Sequence, residues 1–267
     1  MLGEFSFSQE KADLDAAKQF RDGALNHSQI MDMVGYLTDV TGPRLAGSPN
    51  LKRAEELARD KLREWGLGNA HLEAWGPFGR GWSLEGFTAN MLSPGFSPLI
   101  DPKAWSPGTN GSVRGEVVYL DVKIAAELDK YKGKLKGKIV LFSPARHVDP
   151  LFDPPAHQQT DEELLRLANA EPSADPRPFQ FTAEQRAAEE LNHRQWQLIQ
   201  SEGAAVVLQP SFRDAGTVYV TSATVPYPPD VSIEKRVQAW DISKPVVTPQ
   251  AEQYNRIVRR VARGICW

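Results

Sequence analysis

Three short apolar runs separated by helical patterns constrain this chain more than any other feature. Glu116-Val117-Val118-Tyr119-Leu120 is β-branched and aromatic, and residues 137 to 142 end in Ile139-Val140-Leu141-Phe142. Residues 204 to 208 read Ala204-Ala205-Val206-Val207-Leu208. Runs of this length and type are strands. Residues 124 to 131 read as a short helix between the first two runs. Before the third run, Thr182 and Gln185 make a capping box that opens a long helix, with Ala187, Leu191 and Leu198 on its inner face and Gly203 at its end. This alternation predicts an α/β module. Residues 217 to 221 read as a further strand, and residues 226 to 229 as a loop. Val246-Val247 and the helix from Pro249 close the chain, and that helix presents Ala251, Tyr254, Val258 and Val261 before Gly264 ends it.

The first third of the chain is patterned differently. Residues 9 to 24 read as a polar helix with Leu14, Ala17 and Phe20 on one face. Ser28 caps a second helix whose Ile30, Val34 and Leu37 point inward. Thr41-Gly42-Pro43-Arg44-Leu45-Ala46-Gly47-Ser48 is a loop, and Ser48 caps a helix with Pro49 at its first position, which suits a residue without an N–H. Leu51, Ala54, Ala58, Leu62 and Trp65 recur at helical spacing, with a Glu55–Arg59 pair on the wet side. Residues 71 to 75 and 84 to 92 read as a strand hairpin around a Gly/Pro turn, and the Pro, Gly and Ser of residues 93 to 112 read as loop and boundary. Seven prolines punctuate residues 144 to 181, an ordered excursion with one helical island at 161 to 170.

Composition closes off several classes. Hydrophobic content of 41% and charged content of 24% are those of an ordinary folded protein. A net charge of −3 gives no reason to expect nucleic acid, and no apolar run reaches the roughly 20 residues that span a bilayer. Cys266 is the single cysteine, so there is no internal disulfide, and its place beside the C-terminus reads as incidental. Met1-Leu2-Gly3-Glu4-Phe5 has neither the basic nor the apolar region of a signal peptide, and residues 1 to 8 read as a leader or cloning remnant.

"TGPRLAGSPNLKRAEELARDKLREWGLGNAHLE" from Thr41 closely resembles the N-terminal segment of secreted zinc exopeptidases of the carboxypeptidase Q and bacterial aminopeptidase type. The resemblance continues through "GPFGRGWSLEGFTANML", "AWSPGTNG", "GEVVYLD" and "YKGKLKGKIVLFSPAR", and resumes at "VVTPQAEQYNRIVRRVARGI". No one motif in it is a catalytic signature; length and order carry it. It implies residues 9–92 as the N-terminal segment and 93–248 as a protease-associated (PA) domain with a Pro-rich insertion at 144–181. Residues 249–267 then form a closing helix that leads toward a catalytic half absent from this sequence. The implied fold is mixed α/β: N-terminal helices, then a PA-like β-sheet or β-barrel module with flanking helices. The implied role is to frame a substrate cleft or bind a peptide or protein, without peptidase activity alone. Zinc is the family's cofactor, the native setting is secreted or periplasmic, and the apolar helix faces of residues 9 to 66 are expected to pack on each other or to form a homodimer.

The family's two-zinc site uses His, a bridging Asp, a Glu–Glu pair, another acidic ligand and a second His. This chain offers an imitation in His147-Val148-Asp149, then Asp161, Glu189-Glu190 and Asp214, but no histidine follows His193. Neighbours on a helix point about 100° apart, so Glu189 and Glu190 cannot both face one metal pair. His147, Asp149, Asp153 and His157 form a second candidate cluster on a loop stiffened by prolines, against a reading as solvated loop residues. Histidines 27, 71 and 193 read as a cap, a strand edge and a helix surface. Ser48 is a cap rather than a nucleophile elbow. The "KGKLKGK" run at 132 to 138 reads as a solvated face or a phosphate site. Trp65, Trp75, Trp82 and Trp105 line a sugar or peptide groove or pack between hairpin and helix. The alternative function is an autonomous hydrolase, a glycosidase or esterase, that uses carboxylates on this scaffold.

Overall fold

Side chains alternate across a strand, so a strand buried on both faces must be apolar at consecutive positions. Val140-Leu141, Val207-Leu208 and Val246-Val247 meet that condition. In the computed structural model, which describes residues 13–74, 76, 79–93, 95–154, 156–170, 181–213, 216–227, 242 and 244–265, these pairs form the centre of a sheet. The chain divides into two compact units, residues 1–78 and 79–267.

In the second unit the strands are β1 (Met91–Leu92), β2 (Gly95–Phe96), β3 (Ile100–Pro102), β4 (Val117–Tyr119), β5 (Ile139–Leu141), β6 (Val206–Leu208) and β7 (Val246–Pro249). β1 and β2 form a small antiparallel pair; the rest form one sheet in the order β3-β7-β6-β5-β4. β4 to β7 run parallel, and β3 lies antiparallel on the outer side of β7. Register sets Val118, Val140, Val207 and Val246 side by side in a row of four valines. That row faces the 3₁₀ helix Ala125–Tyr131, through Leu128, and α5 (Ala183–Ser201), through Trp196 and Ile199. The opposite row, Tyr119, Leu141, Leu208 and Val247, faces α6 (Ala251–Ala262) through Tyr254, Ile257 and Val258. The unit is three layers, helix on sheet on helix. Each fully buried Val, Leu or Ile of these rows contributes on the order of 1.5–3 kcal/mol.

The capping box expected at Thr182 is present: its hydroxyl accepts from Gln185 N–H at 3.1 Å, and Gln185 Oε1 accepts from Thr182 N–H at 2.9 Å. Of the inner face expected for α5, Leu191 and Leu198 pack half-buried against the core and Ala187 does not. Gln195, Trp196 and Ile199 are buried and Ala187 is exposed, because Trp196 and Ile199 carry the larger apolar area into the valine row. Thr160 and Glu163 form a second box that opens α4 (Asp161–Ala168). Two expectations fail outright. Residues 71–74 and 84–90 form no strand; the His71 ring instead bonds Asn69 O and Glu73, each at 2.7 Å. Residues 217–221 form none either, and that region contributes only the bridge between Ser222 and Ala104. Conversely, β2 and β3 arise inside the stretch read as loop. Pro102 fits there because β3 is an edge strand, where a missing N–H is tolerated.

The first unit contains α1 (Leu14–Asn26), α2 (Ile30–Gly35), a π-helical turn (Tyr36–Thr41) and α3 (Pro49–Glu64). Ser48 caps α3, its hydroxyl accepting from Leu51 N–H at 3.1 Å with Pro49 at the first position. Arg44 folds back and donates to the carbonyls of Leu37 and Gly42, which satisfies acceptors at the end of the π turn. The inward faces expected for the first two helices are not buried: Leu14, Phe20, Ile30 and Val34 are all exposed. Arg59 bonds Asp60, at 2.7 and 3.0 Å, rather than Glu55. Residues 1 to 8, Trp75, Asp214, Cys266 and Pro228-Pro229 of the 226–229 loop lie outside the described residues.

Two measurements test this packing. Trp196→Ala empties the space between α5 and the valine row, and denaturant unfolding is expected to show a loss of about 3–5 kcal/mol. Lys103 follows β3 and is half-buried, and burial pulls its ammonium down to about 8 from 10.5. Between those values the unfolded chain holds a proton that the folded chain has released, so stability rises with pH across that window. Lys103→Met is expected to raise stability at pH 7 by roughly 1–2 kcal/mol and to flatten the rise; an unchanged pH profile counts against it.

Candidate functional site

Parallel strands deliver their carboxyl ends to one edge of a sheet, and in open α/β sheets that edge is where ligands bind. Here β5 leaves through Ser143 to Arg146, β6 leaves through Gln209 to Arg213, and β7 turns into the first residues of α6. These segments are bound to one another. The Tyr254 hydroxyl on α6 donates to Ser143 O at 2.6 Å, and burial pushes its pKa far up, so it stays a neutral donor. The Asn255 side chain accepts from Arg146 N–H at 2.9 Å and donates to Arg146 O at 2.7 Å. The Arg146 guanidinium donates to Ser211 O, and the fully buried Ser211 hydroxyl accepts from Tyr219 N–H at 3.0 Å. Arg213 lies over the rings of Phe212 and Tyr219, at 5.6 and 5.1 Å from their centres. Glu252 Oε1 accepts from Gly216 N–H at 3.3 Å. Buried acceptors without a partner among the described residues remain on Gln209 and Glu252.

The Pro-rich excursion starts at this edge, so Asn255 and Ser211 anchor the point from which His147 and Asp149 project. His147 Nε2 and Asp149 Oδ1 are 2.7 Å apart, with side chains 85% and 79% exposed. They are two groups of the right chemistry in one place. The remaining candidates are elsewhere. Asp161 is the first residue of α4, and Asp153 and His157 are exposed along the excursion. Glu190 is tied to Arg194 at 2.7 Å on α5, and Glu189 is its half-buried neighbour. His193 bonds Pro226 O through Nδ1 at 2.7 Å, which places the proton on Nδ1 and leaves Nε2 to accept from Gln197 at 3.0 Å. Among the described residues no three His, Cys, Asp or Glu side chains come together as a metal group. A zinc centre needs three or four convergent ligands, so the described residues do not fit one.

Two of the tryptophans act as braces. Trp82 Nε1 donates to Ser106 O at 2.8 Å and Trp105 Nε1 to Arg80 O at 3.2 Å. Trp105 sits at φ +58°, a left-handed conformation that costs a bulky residue on the order of 1–3 kcal/mol. Trp65 is 49% exposed at the end of α3. Arg146, Ser211 and Asn255 were not singled out from the sequence. The available signal was Asn255 itself, a polar residue beside Tyr254 on the face that α6 buries.

The described edge is therefore that of a three-layer α/β domain whose strand ends converge on a buried polar cluster. Its sequence is similar to peptidases. Over 115 residues it is 34% identical to carboxypeptidase Q of Mus musculus, covering 42% of this chain and 23% of the mouse protein. Over 118 residues it is 31% identical to carboxypeptidase Q of Rattus norvegicus, with the same two shares. The matched part of the chain thus spans about a quarter of the length of these relatives. Among solved structures, a zinc aminopeptidase from Bacillus subtilis is similar over 85% of this chain and 40% of its own, at 15% identity and a TM-score of 0.44. A peptidase M28 precursor from Shewanella amazonensis is similar over 94% and 47%, at 17% identity and a TM-score of 0.44. No protein-family model matches the sequence.

Asn255→Ala leaves the N–H and C=O of the half-buried Arg146 without these partners, which is expected to cost about 1–2 kcal/mol. Limited proteolysis of residues 144–170 should quicken in parallel. Cleavage at the wild-type rate would show that the anchor does not hold the excursion.

Proposed function

We propose that this chain is the N-terminal segment and PA module of a zinc exopeptidase, secreted or periplasmic in its native setting. Residues 9–92 are the segment, 93–248 the module with the insertion 144–181, and 249–267 the helix leading toward the catalytic domain. The module frames the cleft in which a peptide or protein substrate lies, and these residues do not hydrolyse peptides by themselves. The similarity to carboxypeptidase Q over 115 residues carries this reading. Chemistry supports it. In the family's reaction a carboxylate takes a proton from zinc-bound water, which requires several ligands around each metal. Among the described residues no third ligand joins the exposed His147–Asp149 pair, and Asp161, Glu189 and Glu190 lie on other elements.

The test is zinc per chain on protein purified without chelator, with dipeptide and aminoacyl substrates assayed on the same sample. Zinc near zero and no turnover are expected. One or two tightly held zincs with turnover that chelation abolishes would overturn the reading. Turnover that survives chelation and disappears with one carboxylate substitution would establish the autonomous hydrolase instead.

A further inference from the structure

The outer edge of the sheet at β4 carries a feature that the proposed function does not use. Among the described residues β4 pairs with β5 alone. Ile139 N–H donates to Glu116 O and Leu120 N–H donates to Leu141 O, so Glu116 and Leu120 spend their backbone groups on β5. In a parallel ladder these duties alternate along the strand, and Val117 and Tyr119 therefore turn their N–H and C=O away from the sheet. Beside this open row, the segment between the 3₁₀ helix and β5 walls a groove of about 460 Å³. Val118 and Tyr131 give it an apolar floor, and Lys130, Lys134, Lys136 and Lys138 stand around it against one carboxylate, Glu116.

Two of these lysines are occupied. Lys130 pairs with Glu127 at 2.8 Å, and Lys138 pairs with Glu116. Lys134 and Lys136 are exposed, with no ion pair among the described residues. Residues 130–138 hold five lysines, of which Lys132 pairs with Asp129 at 2.6 Å outside the groove lining, and they concentrate positive charge on a chain whose net charge is −3. Lysines on an edge strand can serve only to repel other strands. Here they stand on the neighbouring segment, so they flank the open backbone row without blocking it. An extended acidic segment satisfies both halves of the surface: its backbone continues the ladder on β4 and its carboxylates reach Lys134 and Lys136.

We propose that the β4 edge and its lysine groove dock an extended acidic peptide segment of a partner protein by strand addition. The inference is independent of the peptidase reading. It is tested by fluorescence anisotropy with a labelled eight-residue peptide of alternating Glu and Val. A second peptide, in which proline replaces the residues that would bond to Val117 and Tyr119, keeps the charge but cannot extend the ladder.

The alternating peptide is expected to bind, and the proline peptide to bind at least about tenfold more weakly, since only the first completes the backbone bonds. Lys134→Gln combined with Lys136→Gln should weaken the alternating peptide by about tenfold, and raising salt from about 0.05 to 0.5 M should do likewise. Both lysines are exposed, and an unchanged circular dichroism spectrum serves as the folding control. Equal binding of the two peptides overturns the proposal and leaves a general polyanion patch, which short heparin fragments would then also occupy. Absence of binding by the alternating peptide overturns it in favour of lysines that only guard the edge.

Discussion

The row Val118, Val140, Val207 and Val246 is the constraint on which the second unit depends. A parallel sheet has no solvated face to spare, so every residue beside this row sends its neighbour to the opposite core. A slip of one residue in any strand would exchange the two faces and place Leu141, Leu208 or Val247 against α5 instead of α6. The helices follow from that requirement. Leu128, Trp196 and Ile199 cover one side, and Tyr254, Ile257 and Val258 cover the other. β3 adds an antiparallel edge beyond β7, and among the described residues β4 is left as the open one.

Polar groups at the carboxyl edge depend on the same layering. Tyr254 and Asn255 are consecutive on α6, so they point in different directions; one reaches Ser143 and the other clamps Arg146. Because Arg146 also reaches the carbonyl of Ser211, the exits of β5 and β6 are joined to α6 by side chain–backbone bonds in addition to the strand ladders. Such bonds, made away from water, give a loop a defined point of departure. The excursion that begins there carries the His147–Asp149 pair into solvent, where a carboxylate and an imidazole at 2.7 Å form an exposed hydrogen bond of little energetic weight. Sequence similarity relates the chain to peptidases, while the described side chains supply positioning and surface rather than a convergent set of ligands.

Much of the second unit was legible from the chain alone. Strands centred on Val118, Val140 and Val207 announce themselves by β-branched apolar runs, the 182–201 helix by Thr182 and Gln185, and the last helix by its apolar face. These signals are local, within a few residues. The failures share the opposite property. Residues 71–74 and 84–90 have strand-like composition, but a strand exists only where a partner lines up with it. Ile100-Asp101-Pro102 looks like loop and becomes a strand because the outer side of β7 is available to it. Exposure of Leu14, Phe20, Ile30 and Val34 was equally hidden, since periodicity marks an apolar face without naming what covers it. Asn255, Arg146 and Ser211 escaped notice because their bonds span 109 and 65 positions.

The sequence by itself determined the alternation of apolar strands and capped helices, and with it a layered α/β domain, because hydrophobic period and helix caps act over a few residues. Only the tertiary structure decided strand order, the antiparallel edge at β3, the open edge at β4 beside its lysines, and which polar groups meet at the carboxyl ends. Those outcomes depend on pairing between segments far apart in the chain, and the free energy of such a contact belongs to both partners together.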